Sequence, residues 1–499
     1  MNLLSLLILL MIPLAASLVV VLFFDKESTI RRVSKLIAFL HFVYAMFFIL
    51  YLDSAAGTSQ VVQEMLNDGK LWLQPIGVSF SLAIDGVSLV MVILTTFITL
   101  MALIASKDVI NEKHKFYYSL IFLLEFAVLG VFLARDLFLF FLFWELELIP
   151  MYFLISLWGT GRPKYSAMKF VLYTFFGSLF MLAAILAIYY CHFLQTGTLT
   201  MDMGLLSLYN GYPAVLQFFA FIGFFIAFAV KFPIFPLHNW LPDAHVDAPT
   251  PVSMLLAGIL LKMGAYGLIR INMYFFPSVF NLFAPVIFIL GIINIIYAAI
   301  IAFAQNDLKK MIAYSSISHM GIVLVGLCAM NSIGVSGAVM QMVAHGLISA
   351  GLFFVVGVIY LRTKTRDITQ LGGLVQKLPV LYYLTMLLAL ASIGVPGLVG
   401  FVGEALCFYG AAISDVFGLI RIFAGIALLG AIFGAVYIIF MLRKVFCGVM
   451  LDSYNEIEKV KPHEFVVLFS LAALVLLFGV FPNIIVNIFS LPIDSFFSV

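Results

Sequence analysis

Fourteen apolar runs, each about as long as a membrane-crossing helix, fill most of this 499-residue chain. An α-helix needs about 20 mostly apolar residues to cross the hydrocarbon core of a bilayer. The connections between the runs are short, and none could hold a water-soluble domain. The sequence therefore predicts one polytopic, all-α membrane domain over residues 1–499. The predicted spans are near 3–23, 34–52, 86–106, 115–134, 137–156, 166–190, 213–237, 251–273, 280–304, 309–329, 333–361, 379–410, 417–441 and 463–486.

The composition supports a membrane location and excludes several other classes. The chain is 64% hydrophobic and 10% charged, whereas soluble domains carry about 25% charged residues. The net charge of +2 gives no indication of a nucleic-acid partner, so the expected surroundings are the lipid bilayer and other membrane subunits. The first apolar run exceeds a signal-peptide core and no basic segment precedes it, which favours a first transmembrane helix.

Cysteine spacing argues against a cofactor in this chain. The four cysteines are far apart, form no CxxC pair and accompany no GxGxxG-type nucleotide loop; they are Cys191, Cys328, Cys407 and Cys447. Such cysteines are typical of apolar packing rather than of metal or iron–sulfur ligation. We therefore expect no metal site, no bound cofactor and no electron carrier within the chain.

Basic residues predict the orientation, because Lys and Arg concentrate in cytoplasmic loops. With the fourteen spans above, nineteen of the 26 Lys and Arg residues fall on one side, four on the other and three inside spans. A wrong number of spans would have mixed the two sides. The chain is therefore predicted to be a multi-pass protein of a bacterial inner membrane, with both termini away from the cytoplasm.

Ionisable side chains inside the predicted spans are the candidate functional residues. At mid-depth each charged side chain costs roughly 2.5–3.5 kcal/mol, so such residues usually face the bundle interior, a partner or water. Single members have simpler explanations: Glu147 as a neutral packing residue, His319 or His345 as structural histidines, and Lys169 as a snorkelling lysine. The set is Glu125, Glu145, Glu147, Lys169, Lys231, Lys262, His319, His345 and Glu404.

Depth and helix geometry indicate how this set is arranged. Glu145, Lys262, His319 and His345 all lie near the middle of their spans, which suits lateral proton transfer along the membrane. Glu145 and Glu147 are two residues apart, about 200° around a helix, so they cannot face the same partner. One glutamate is expected to face the other buried ionisable residues, and the other glutamate a neighbouring helix or subunit.

Prolines and glycines interrupt two spans beside charged residues. Lys231 is followed by Pro233 and Pro236, so its helix must end just after it. The run ASIGVPGLVGFVGEALCF at 391–408 loosens a second helix just before Glu404. Two interrupted spans are typical of transporters with inverted repeats. We predict two five-helix repeats, about 115–273 and 280–441; an ordinary proline kink is the simpler alternative.

Long strings in the sequence resemble the antiporter-like proton-pumping subunits of respiratory complex I, of the subunit M (chain 4) type. The resemblance extends from IDGVSL at 84–89 to LRKVF at 442–446, and includes FWELELIPMYFLI and LKKMIAYSSISHMG. It implies a proton-translocating subunit of NADH:quinone oxidoreductase without its own redox centre. The implied partners are neighbouring antiporter-like and quinone-site membrane subunits; FMN, iron–sulfur clusters and quinone belong to partner subunits.

The resemblance also implies residue roles. Glu145 would pair with Lys231, Lys262 would be the central lysine, and His319 and His345 would join the two halves. Glu404 would lie near the outer exit and favours the M type over its sister subunits, which carry lysine there. Glu125 resembles the fourth-helix glutamate of the family.

Three alternatives remain open at this level. The chain could belong to a multi-subunit Na⁺/H⁺ antiporter or to a membrane-bound hydrogenase, which share the lysines and broken helices. The motif WELELIP resembles the corresponding sequence of cyanobacterial and chloroplast homologues. A ferredoxin-driven photosynthetic-type complex is therefore the third alternative. The electron donor is therefore left open by the sequence.

Overall fold

Helices make up nearly all of the computed structural model, which describes residues 3–54, 72–450, 454 and 456–497. Within these ranges β-structure is limited to isolated β-bridges. The α-helices are α1 Leu3–Phe23, α2 Glu27–Ser54, α3 Gly86–Ala105, α4 His114–Leu133, α5 Leu137–Leu146, α6 Leu148–Trp158, α7 Pro163–Thr196, α8 Met203–Leu208, α9 Ala214–Lys231, α10 Trp240–Asp247, α11 Thr250–Leu255, α12 Leu261–Gly267, α13 Pro277–Phe303, α14 Leu308–Cys328, α15 Ser332–Thr363, α16 Pro379–Ser392, α17 Val399–Ile413, α18 Ile420–Phe446, α19 Pro462–Val480 and α20 Asn483–Phe497.

Thirteen helical segments in the described part of the chain are long and apolar enough to cross a membrane. The predicted span 379–410 is instead divided into the shorter apolar helices α16 and α17. These thirteen segments and the divided pair account for the fourteen predicted spans. The all-α membrane fold is therefore confirmed, with boundaries shifted by several residues at some ends.

Aspartates and asparagine set the start of several spanning helices. Asp85 forms a capping box at α3, where its carboxylate accepts from Ser88 N at 2.9 Å. Asp136, Asp307 and Asn331 cap α5, α14 and α15 through side-chain oxygens. A capping oxygen satisfies amide groups that a first helical turn leaves unpaired. In these four helices, a short polar residue before the apolar run thus sets where the helix begins.

The interior of the bundle is formed by α3, α11, α12, α14 and α15. These helices are almost entirely buried, whereas α2, α18 and α19 present much of their surface outward. α14 packs between α13 and α15, and α15 also contacts α17. A residue on the central helices is therefore shielded from lipid on every side, which is where charged groups can persist.

Three helices were not predicted from the sequence: the short helices α8 and α10, and the C-terminal helix α20. α20 follows the last spanning helix and packs against α3 and α15. Tyr274 Oη donates to the carbonyl of Pro492 within it at 3.4 Å. The two predicted five-helix repeats, about 115–273 and 280–441, stay a prediction.

Candidate functional site

Lys231 is the last residue of α9, as the prolines after it predict. Asn294 of α13 repairs the interrupted backbone: its Nδ2 donates to Pro233 O at 3.1 Å, and its Oδ1 accepts from Phe235 N at 2.8 Å. Trp240 Nε1 donates to Val230 O at 2.8 Å. Buried backbone groups freed by a break need such partners. The break beside Lys231 is thus held in one conformation.

A second interruption lies opposite Lys231. α5 ends at Leu146 and α6 begins at Leu148, so Glu147 sits at the junction. Pro150 has no amide hydrogen for the carbonyl of Leu146, and its ring clashes with that turn. Glu147 and Lys231 form a buried ion pair across the two breaks. The aromatic rings of Trp144 and Phe170 lie 5.4 and 5.2 Å from the Lys231 ammonium.

The expected pairing of Glu145 with Lys231 is wrong in its direct form. Glu147 contacts Lys231, whereas Glu145 is half-buried and acts on Lys231 only through longer-range electrostatics. Of the two carboxylates, Glu147 is fully buried and Glu145 is only partly buried. The helix break at Glu147 decides which of them turns inward, and Glu147 is therefore not an isolated packing residue.

Lys262 lies at the centre of the bundle between two widened helical turns. π-helical segments, Leu256–Leu260 and Leu268–Met273, flank the short helix α12 that carries it. Its Nζ donates to Ala257 O at 2.5 Å and lies 2.7 Å from His345 Nδ1. An ammonium has no lone pair, so protonated Lys262 requires His345 Nδ1 to accept. One proton can therefore pass directly between Lys262 Nζ and His345 Nδ1.

Three more side chains extend this contact across the second half of the bundle. The rings of His345 and His319 have centroids 5.7 Å apart. His319 Nε2 lies 3.0 Å from Ser392 Oγ, and its Nδ1 lies 3.6 Å from Glu404 Oε1. Ser392 is the last residue of α16 and Glu404 lies in α17, so this series of contacts reaches the second broken span. We call Lys262, His345, His319 and Glu404 the central line.

Lys231 and Lys262 are both buried, but within the described residues no hydrogen bond or ion pair joins them. Their helices nevertheless pack closely. A Cβ atom on Gly264 would lie 2.8 Å from Phe232 N and 2.9 Å from Phe228 O. Only glycine allows α12 this near to the end of α9. The Glu147–Lys231 pair and the central line are therefore neighbours without direct contact.

Glu125 belongs to a separate pair. His41 Nδ1 lies 3.0 Å from Glu125 Oε1, and His41 Nε2 lies 2.9 Å from the carbonyl of Leu9. Since a carbonyl only accepts, Nε2 carries a hydrogen. One further proton is then shared between His41 Nδ1 and the Glu125 carboxyl. Both side chains are buried between α1, α2 and α4, apart from the central line.

Three functional candidates were missed by the sequence analysis: His41, His245 and Asn294. His245 is buried in α10, stacks on Phe353 with centroids 4.5 Å apart, and is close enough to Lys262 and Lys309 to interact electrostatically. The string DAHVDAPTP, with a histidine among prolines beside a broken helix, was the available signal for it. Lys169, predicted inside a span, pairs with Asp243 at 2.6 Å.

A charged cavity lies at the opposite end of α12 from α10. It encloses about 200 Å³ and is lined by Asp85, Arg270 and Tyr274 among others. Asp85 and Arg270 form an ion pair. Burial would raise the pKa of the Asp85 carboxyl, but Arg270 and the Ser88 amide hold it below its usual value. Asp85 therefore stays ionised at neutral pH and keeps its cap on α3.

One cluster within the described residues has metal-ligand geometry, at Asp108, His463 and Glu464. Protein cations already neutralise its carboxylates. Lys461 Nζ lies 2.9 Å from Asp108, and the Arg362 guanidinium donates to both Glu464 oxygens at 2.9 and 2.7 Å. A metal ion would have to displace both cations, so this cluster is explained as an ion-pair network.

Comparison with known proteins places this arrangement in a family. A family model described as "NADH:quinone oxidoreductase/Mrp antiporter, TM" matches residues 134–430, more than half of the chain. The chain belongs to that family. The matched residues include both broken spans, the Glu147–Lys231 pair and the whole central line.

Cyanobacterial family members resemble nearly the full length. NAD(P)H-quinone oxidoreductase chain 4 1 of Nostoc sp. is 43% identical over 481 residues, covering 95% of this chain and 87% of that protein. Chain 4 2 of Thermosynechococcus vestitus is 42% identical over 487 residues, covering 96% and 89%. The subunit M (chain 4) resemblance predicted from the sequence is confirmed.

Solved structures of the family share the fold. A chain of respiratory complex I from Thermus thermophilus superimposes with a TM-score of 0.86 at 29% identity, covering 98% of each chain. A chain of the Mrp complex from Dietzia sp. gives a TM-score of 0.88 at 19% identity, covering 100% and 98%. At 19% identity the second similarity concerns the fold alone.

Proposed function

We propose that this chain translocates protons as a membrane subunit of an NADH:quinone oxidoreductase-type complex. The observation that carries the proposal is the central line of titratable groups through the most buried helices. The family and its chain 4 members support the same reading. Partner subunits would hold FMN, iron–sulfur clusters and quinone, and the redox energy released there would drive the protons.

The Glu147–Lys231 pair is the element that responds to the rest of the complex. In a low-dielectric interior a lysine gives up its proton readily unless a carboxylate stabilises the ammonium. While Glu147 contacts Lys231, the ammonium is held. If Glu147 turns away or becomes protonated, Lys231 releases its proton toward Lys262. Both residues lie at helix breaks, where a small backbone change can separate them.

Transfer then proceeds along the central line. Lys262 passes a proton to His345 across 2.7 Å, and His345 and His319 are neighbouring rings. Ser392 and Glu404 contact His319 and lead toward the far side. Moving one charge against 100 mV requires about 2.3 kcal/mol, which the redox reaction must supply. Both termini would lie on the non-cytoplasmic side of the membrane.

A second candidate function is that of a subunit of a multi-subunit cation/proton antiporter. The family description, which names the Mrp antiporter, and the shared fold with a chain of the Mrp complex favour it. The higher identity to NAD(P)H-quinone oxidoreductase chain 4 proteins favours the redox-coupled complex. Coupling to quinone reduction discriminates the two.

The test replaces Lys262 by methionine, which is unbranched, one heavy atom shorter than lysine and uncharged. In inverted membrane vesicles we expect quinone reduction to continue while proton uptake per electron falls several-fold. Lys364→Met is the matched control, because Lys364 is exposed at the end of α15. Undiminished proton uptake in the Lys262 variant would refute the proposal. Proton movement independent of quinone reduction would favour the antiporter.

A further inference from the structure

A pocket lined mainly by cations lies at the start of α2, away from the central line. Its basic side chains are Lys26, Arg31, Arg32, Lys35 and Lys107, and we call it the basic pocket. It encloses about 710 Å³ and also includes Glu27 and Ser28. Lys107 comes from the turn after α3, so two separate segments contribute positive charge.

The acidic residues near the basic pocket are already engaged. Glu27 pairs with Arg31 at 2.8 Å and with His114 at 3.2 Å, and Asp25 pairs with Lys115 at 2.5 Å. In the described part of the chain, Lys26, Arg32, Lys35 and Lys107 form no ion pair. Lys35 is instead close enough to Lys107, Arg31 and Arg32 for their like charges to act on it. A multivalent anion bound among these unpaired cations would reduce their mutual repulsion.

The surroundings of the pocket distinguish the kind of anion. One turn further along α2, the apolar side chains of Leu36, Phe39 and Leu40 are 57%, 50% and 56% exposed. Lys35 lies about 12 Å along the helix from Glu27, at 1.5 Å per residue. The cations of the basic pocket are therefore adjacent, along α2, to an exposed apolar surface. A phospholipid has the same order of groups, with phosphate above acyl chains.

We propose that the basic pocket binds the headgroup of an anionic phospholipid, with acyl chains lying along the exposed face of α2. The distribution of Lys and Arg predicts that this site faces the cytoplasmic leaflet. Arg32 and Lys35 contact phosphate oxygens, and Lys107 closes the site from the α3 side. The site is separate from the proton-relay residues and does not depend on the function proposed above.

The experiment uses the whole complex in phosphatidylcholine nanodiscs that contain a small fraction of photoactivatable cardiolipin. Peptide mass spectrometry locates the cross-links. The variant is Arg32→Gln/Lys35→Gln. The control is Arg443→Gln/Lys444→Gln, because these two residues are exposed at the end of α18, are predicted to lie on the same side of the membrane, and their substitution removes the same charge. Each basic residue at an anionic surface contributes about five-fold in affinity, so two give about thirty-fold.

We expect cross-links within 26–40 in the wild type and the control, and their loss in the Arg32/Lys35 variant, with normal complex assembly on native gels. Three results would overturn the proposal. One is unchanged cross-linking in that variant. Another is protection by inorganic phosphate equal to that by unlabelled cardiolipin, which indicates a soluble anion. The third is carbodiimide coupling of Lys35 or Lys107 to a carboxylate of a neighbouring subunit, which indicates an acidic protein segment.

Discussion

Glu147 and Lys231 form an ion pair at the point where the helices of both residues are interrupted. A buried pair of this kind is sensitive to small movements, because losing one partner leaves an uncompensated charge at a cost of about 3–5 kcal/mol. Both residues lie at helix ends, so a change at either break would alter the pair without unfolding a helix. We propose that a neighbouring subunit drives such a change.

The first prediction compares the two neighbouring glutamates. Glu147→Gln removes the direct partner of Lys231, so proton uptake per electron is expected to fall about ten-fold in vesicles. Glu145→Gln, at the half-buried position two residues earlier, is expected to have a smaller effect. A loss from Glu145→Gln equal to or greater than that from Glu147→Gln would contradict the pairing.

The second prediction concerns the His41–Glu125 pair. His41→Leu leaves the buried Glu125 carboxyl without its partner and is expected to destabilise the subunit by about 1–3 kcal/mol. The double variant His41→Leu/Glu125→Leu removes both polar groups and should recover most of this loss. Thermal inactivation of the purified complex measures both changes. Additive losses in the double variant would show that the contact is not formed.

The third prediction uses the glycine that lets α12 approach α9. Gly264→Ala places a methyl group against the backbone of Phe228 and Phe232, and should destabilise the protein by about 1–3 kcal/mol. Gly425→Ala, within α18, has no atom within 4 Å of the added Cβ and is the control. Thermal inactivation of the complex compares the two. Equal stability of both variants would argue against close packing there.

The fourth prediction contrasts a buried with an exposed ion pair. Arg362 joins α15 to α19 through two hydrogen bonds to Glu464, and their side chains are 5% and 2% exposed. Arg362→Met should cost about 3–5 kcal/mol of stability. Arg421→Met breaks the exposed contact with Asp415 and should cost less than about 1 kcal/mol. Similar losses for the two would indicate that Glu464 finds another cation.

The sequence predicted the parts of this structure that hydropathy and proline chemistry control. Apolar runs placed the spans, and Pro233 and Pro236 placed the break after Lys231. The choice between Glu145 and Glu147 could not be made, because a regular helix was assumed across a segment that Pro150 interrupts. The π-helical turns around Lys262 have no comparable signal in the sequence, where residues 256–273 read as one regular apolar span. His41 was overlooked although it lies inside the second predicted span.

The central claim is that buried titratable groups form one connected path, which must cross the space between Lys231 and Lys262. A high-resolution cryo-EM map of the whole complex tests this step most directly by showing what fills the space between the two ammonium groups. We predict ordered water within hydrogen-bonding distance of both lysines. Tightly packed apolar side chains between them, with no water density, would contradict the account.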